Sequence, residues 1–133
     1  MMNPRAPGHV FKPEDLLDFI ATRVFTRGWE TLGLNDEEDL TALQVGIMAD
    51  PKRAPVVPGT GGLRKLRFAP PGSKSGTRGG LRVCYVYYEE FHIVLLVVVY
   101  PKSEQDDLSE QQKRTIKKLI DEQRQELEQG PLQ

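Results

Sequence analysis

The chain is poor in the residues that build covalent staples and metal centres. It has one cysteine, Cys84, and two histidines, His9 and His92. A lone thiol excludes an internal disulfide framework and fits a reducing compartment. The histidines are far apart and lack a Cys/His/Asp ligand spacing, so no metal site and no other cofactor is expected. Long apolar runs are also missing. The longest, Ile93–Tyr100, has eight residues, whereas a membrane-spanning helix needs about 20. The opening residues lack the basic region, apolar run and small-residue cleavage site of a secretory signal. The expectation is a cytoplasmic protein with no membrane partner.

Acid is missing from one long stretch. Between Gly61 and Arg82 there are six Lys or Arg residues and no Asp or Glu. The net charge of −1 therefore hides a segregation: residues 1–49 carry −4, residues 50–102 carry +6 and residues 103–133 carry −3. A local positive field of this kind attracts phosphates and steers anionic partners. A solvated basic surface without a partner is the plainer alternative.

With 133 residues the chain fits one domain with a real core. Residues 1–18, rich in proline, look like an N-terminal extension, and the domain is expected over 19–133. FIATRVF (19–25) is expected as a first strand and Arg27–Leu34 as a short helix that buries Trp29 and Leu32. Asn35, with Glu38 three residues on, is an N-cap signature. It opens a helix with Leu40, Leu43 and Ile47 on one face, closed by Asp50-Pro51.

The Pro- and Gly-rich stretch 52–62 precedes a strand over 63–69. Residues 70–80 look too flexible for regular structure. Residues 81–88 and 91–100, rich in β-branched and aromatic residues, form a hairpin around Glu89-Glu90. The second of these is apolar on both faces, which places it inside the sheet. Ser109 and Gln112 form a capping box for a last helix, with the stripe Ile116, Leu119, Ile120, Leu127 and a stop at Gly130-Pro131. The fold class is α+β, in the order β-α-α-β-β-β-α.

Side chains alternate along strands, so antiparallel pairing lets Lys65, Arg67 and Arg82 share one face. Lys102, after Pro101, stands at its rim. Cations crowded on a sheet repel unless an anion fills the space, which makes this set a candidate phosphate site. Arg64, Lys74 and Arg78 are further candidates for gripping an RNA backbone, Lys74 and Arg78 from the glycine-rich loop. Tyr85, Tyr87, Tyr88 and Tyr100 are candidates for stacking on bases, at least two of them core by default. Neither glycine loop matches a nucleotide-binding spacing. Cys84, inside an apolar strand, and Trp29 are expected in the core, and His92 on a half-exposed strand.

The stretches 24–44, 58–69, 79–88 and 95–109 resemble the HigB-like branch of the RelE/ParE toxin superfamily. The blocks Gly-Thr-Gly-Gly-Leu-Arg-Lys (59–65) and Tyr-Pro-Lys-x-Glu-x-Asp-Asp-Leu (100–108) carry most of the likeness. The resemblance implies a RelE-like fold: a curved, mainly antiparallel four-stranded sheet, two N-terminal helices and a C-terminal helix. It implies a toxin that cuts mRNA in the ribosomal A site, restrained by a cognate helix-turn-helix antitoxin. Lys65, Arg67, Arg82 and Lys102 then fall at catalytic positions; Arg64, Lys74, Arg78 and Tyr100 stay as candidates for RNA or ribosome contact on the reading of the residues above. Leu108 stands where RelE carries a tyrosine. Two other readings remain open: a ParE-like or inactive relative that acts by binding alone, and an accessory nucleic-acid-binding domain.

Overall fold

The computed structural model describes residues 11–71 and 80–130. Its regular elements are β1 (Asp18–Ala21), α1 (Arg23–Thr31), α2 (Thr41–Ala49), β2 (Leu63–Phe68), β3 (Leu81–Tyr88), β4 (Ile93–Pro101) and α3 (Glu110–Gln129). This is the expected α+β order. The four strands lie in the order β1-β4-β3-β2. β1 runs parallel to β4, and the other two pairings are antiparallel. β4 is therefore interior, as its unbroken apolar sequence requires.

Each face of the sheet has its own core. Phe25, Trp29, Leu43, Ile47, Phe68, Val83 and Leu96 pack together under α1 and α2. Leu63, Cys84, Tyr88, Leu95, Tyr100, Leu108 and Ile120 pack together under α3. Cys84 and Trp29 are core residues as expected. A bulge between Cys84 and Tyr85 shifts the β3–β4 register, adding twist at the centre of the sheet.

The first strand is shorter than expected and the first helix earlier. Thr22 ends the strand because its hydroxyl accepts from Phe25 N at 3.0 Å and donates to the Val97 carbonyl at 2.7 Å. It is thus both the N-cap of α1 and a tie to β4. Arg23, Val24 and Phe25, which look strand-forming, belong to the helix; Phe25 and Trp29, one turn apart, stack at 5.5 Å. α1 lies close on β4. A Cβ at Gly28 would meet the Val99 carbonyl oxygen at 3.0 Å.

Asn35 caps as the sequence indicates, its side chain accepting from Glu38 N at 2.7 Å. The turn it opens, Asp36–Leu40, is a π turn, with Leu40 N donating to Asn35 O at 3.1 Å, before α2 proper begins. His92 is not on a strand. It sits exposed in the turn after the 3-10 segment Glu89–Phe91, in a left-handed conformation with φ 55°.

α3 is fixed at its start and along its second half. The Ser109–Gln112 capping box forms at its start. Further along, Tyr88 Oη donates to Ile120 O at 2.9 Å, and the Arg124 guanidinium lies 5.0 Å from the Tyr88 ring while pairing with Glu90. Among the described residues no helix is long and apolar enough to cross a membrane.

Candidate active site

β2 is an edge strand, and its outer side is partly covered by residues 55–57. Val57 N donates to Leu63 O at 2.7 Å, and Lys65 N donates to Pro55 O at 3.0 Å. Beside it lies a groove of about 880 Å³, walled by α2 and the following loop on one side and by β2 and β3 on the other. Lys65, Arg67 and Arg82 all line it, together with Arg53, Asp50 and Asp106.

The groove wraps the β2 edge: Leu66, Phe68 and Tyr85 line it from the α2 face, and the ladder brings the basic residues to it from the other. Lys65 pairs with Cys84, and Arg67 pairs with Arg82, so the side chains of all four share the face that α3 covers. Tyr100 pairs with Arg82 from the other side. Arg67 is exposed, whereas Arg82 is 3% exposed. The turn into β3 uses Gly80 at φ 68°, where a Cβ would stand 3.3 Å from Phe68 O.

Lys65 does not stand alone. Its Nζ lies 3.2 Å from Asp107 Oδ1 and donates to the Asp106 carbonyl oxygen at 3.2 Å. The segment that supplies both is held by Gln105, whose Nε2 donates to Asp107 O at 3.0 Å and to Gln112 Oε1 at 2.6 Å. Asp106 and Asp107 were not visible as site residues from the chain order, since they lie 41 and 42 positions after Lys65. Arg53 was also missed. The one available signal was its place in the basic half of the chain.

Other expected contacts fall elsewhere. Arg64 lies on the opposite face of β2, and its guanidinium donates to Lys52 O at 2.8 Å and Ala54 O at 2.7 Å. It clamps the loop after α2 rather than facing the groove with Lys65. Lys102 is exposed at the end of β4, its N–H donating to Gly80 O at 3.3 Å, and is not among the groove-lining residues. Lys74 and Arg78 lie outside the described residues.

The tyrosines are mostly unavailable for stacking. Tyr85, Tyr88 and Tyr100 are buried, so the expectation of base stacking does not hold for the Tyr100 ring. Burial pushes the Tyr85 phenol up to about 12 and the Cys84 thiol up to about 11. The Tyr100 phenol is raised as well, first by burial and then by the neighbouring Cys84. Among the described residues its hydroxyl is buried without a hydrogen-bond partner. Cys84 is close enough to interact, but a thiol is a weak partner. Leu108, in the place of the tyrosine expected from the resemblance, is 8% exposed and packs in the core under α3.

No protein-family model matches the chain. Among solved structures the chain is similar to the E. coli toxin RelE, a double mutant in the free state. The match has a TM-score of 0.50 and 18% identity, covering 68% of this chain and 88% of RelE. The fold is RelE-like. At that identity the likeness concerns architecture alone.

Proposed function

We propose that this chain is a HigB-like toxin of a toxin–antitoxin pair, a cytoplasmic endoribonuclease that cuts mRNA in the ribosomal A site. The observation that carries the reading is the ladder register: Arg67 opposite Arg82, with Lys65 two residues along the same strand and face, on a RelE-like fold. The domain is taken as residues 19–133, with 1–18 as an extension.

Cleavage is then an intramolecular displacement. The ribose 2′-oxygen attacks the adjacent phosphorus, the P–O5′ bond breaks, and a 2′,3′-cyclic phosphate and a 5′-hydroxyl result. The 2′ proton needs an acceptor, the pentavalent intermediate needs positive charge, and the 5′ oxygen needs a proton. Lys65 is assigned as the acceptor, a role it can take only after it leaves Asp107 and gives up its own ammonium proton to solvent. Arg67 and Arg82 stay protonated and suit the phosphorane charge. Lys102 is assigned to grip phosphate or protonate the leaving oxygen. Lys74 and Arg78 are assigned to backbone contacts. A helix-turn-helix antitoxin is the proposed restraining partner, docking through an acidic segment that complements the basic 61–82 block.

The test is a reconstituted translation reaction in which messenger ends are mapped with and without ribosomes. New ends that need ribosomes, and that vanish with Lys65→Ala, support the nuclease. Intact messenger together with altered DNA supercoiling in cells points instead to the binding-only, ParE-like reading.

A further inference from the structure

Asp106 lines the basic groove, and its neighbour Asp107 pairs with the groove's Lys65. Asp107 pairs with Lys65 at 3.2 Å although its own side chain is 85% exposed, so solvation alone does not hold it there. A latch does. Gln105 Nε2 bridges the Asp107 carbonyl and Gln112 Oε1, and the same Gln112 oxygen accepts from Ser109 N at 2.8 Å in the cap of α3. The start of the helix thus fixes the segment that carries Asp107 to the groove. Asp106, in the same segment, lines the groove with Lys65, Arg67 and Arg82. Close by are the buried Arg82 and the Tyr100 hydroxyl, a buried donor with no acceptor; the Asp106 charge reaches that phenol.

We propose that Gln105–Leu108 is an acidic strap that fills the phosphate position of the groove in the resting protein, Asp107 being the anion that an RNA phosphodiester displaces from Lys65. This rests on reading the groove as an RNA site. It adds that the site is self-occupied, so affinity for the messenger is set by a competition within the chain. The competitor is weak, because an exposed ion pair stabilises only slightly, and its removal should tighten binding by about two- to fivefold.

The experiment measures binding of a short fluorescent 2′-deoxy oligonucleotide to the full chain. The probe has no 2′ nucleophile and cannot be cut by the proposed chemistry, so the readout does not depend on nuclease activity. The unmodified protein is compared with Asp107→Asn, Gln105→Ala and Glu104→Gln between about 50 and 200 mM salt. Asp107→Asn should bind about two- to fivefold tighter. Its slope of log K against log salt should steepen by up to about 0.7, because a carboxylate no longer cancels one cation that faces the strand.

Gln105→Ala, which keeps every charge and only opens the latch, should shift binding in the same direction by less. Glu104→Gln removes the same charge from an exposed neighbour and should shift it least. Equal shifts for Asp107→Asn and Glu104→Gln would overturn the strap, since general charge then explains the result. So would an Asp107→Asn protein that binds no tighter. Binding by none of the proteins at low salt overturns the phosphate reading of the groove and the strap together, whereas tight strap-dependent binding without cleavage on ribosomes leaves the strap standing and removes the nuclease.

Discussion

Arg67 and Arg82 face each other directly across the β2–β3 ladder. Like charges in that position destabilise a sheet unless an anion lies between them. The pair lines one groove with Lys65 and Asp106, so an anion bound there would meet both guanidinium groups.

Inorganic phosphate should accordingly stabilise the protein. At ten times its Kd a ligand adds about 1.4 kcal/mol to unfolding stability. Thermal unfolding with and without phosphate should show this gain in the unmodified protein and less than half of it in Arg67→Gln. An equal gain in both proteins would place the bound anion elsewhere.

Tyr100→Phe should not destabilise the fold. Its hydroxyl is buried and has no hydrogen-bond partner among the described residues, and removing such a group leaves no polar atom worse off; the expected change is neutral or stabilising by up to about 1 kcal/mol. Urea unfolding measures it. A loss of more than about 1 kcal/mol would mean that the hydroxyl has a strong partner in solution.

Thr22→Ala should cost about 1–2 kcal/mol. The substitution removes both the cap on Phe25 N and the bond to the Val97 carbonyl. Thr22→Ser, which keeps the hydroxyl, should recover most of the loss. Hydrogen exchange should show α1 and β1 opening together in the Ala variant.

Alkali should unfold the protein through groups that fold neutral. The Cys84 thiol rises from 9.0 to about 11, and the Tyr85 and Tyr88 phenols from 10.0 to about 12. In each case the unfolded chain ionises first. The stabilisation is complete below pH 9 and is lost progressively as pH climbs toward 12. Chemical denaturation from pH 8 to 11 should show this decline, and Cys84→Ala should remove its earliest part. Native Cys84 should also resist thiol reagents until the protein unfolds.

The architecture was legible where the sequence had a strong period or a cap. The hairpin β3–β4, the Ser109 capping box and the Asn35 cap all stand where apolar runs or side-chain oxygens mark them. The start of α1 was misplaced because Arg23-Val24-Phe25 has strand-like composition, and only the tie between Thr22 and Val97 shows that a helix begins there. At the site, alternation alone predicted that Lys65, Arg67 and Arg82 share a face. It could not reveal Asp107, whose approach depends on a loop geometry set by the Gln105–Gln112 bond. Nor could composition show that the Tyr100 ring is packed away while Arg53 reaches the groove.

The parallel pairing of β1 with β4 bears on how the protein is made. Thr22 bonds a carbonyl 75 residues later in the chain, and β1 pairs with β4 over residues 18–21 and 93–96. The first strand to leave the ribosome is thus an edge that must wait for the last strand before it has a neighbour. Such a long closure delays completion of the sheet. A nascent chain halted before Ile93 would hold the β2–β3 pair with its basic residues yet lack β4, the strand that joins them to β1.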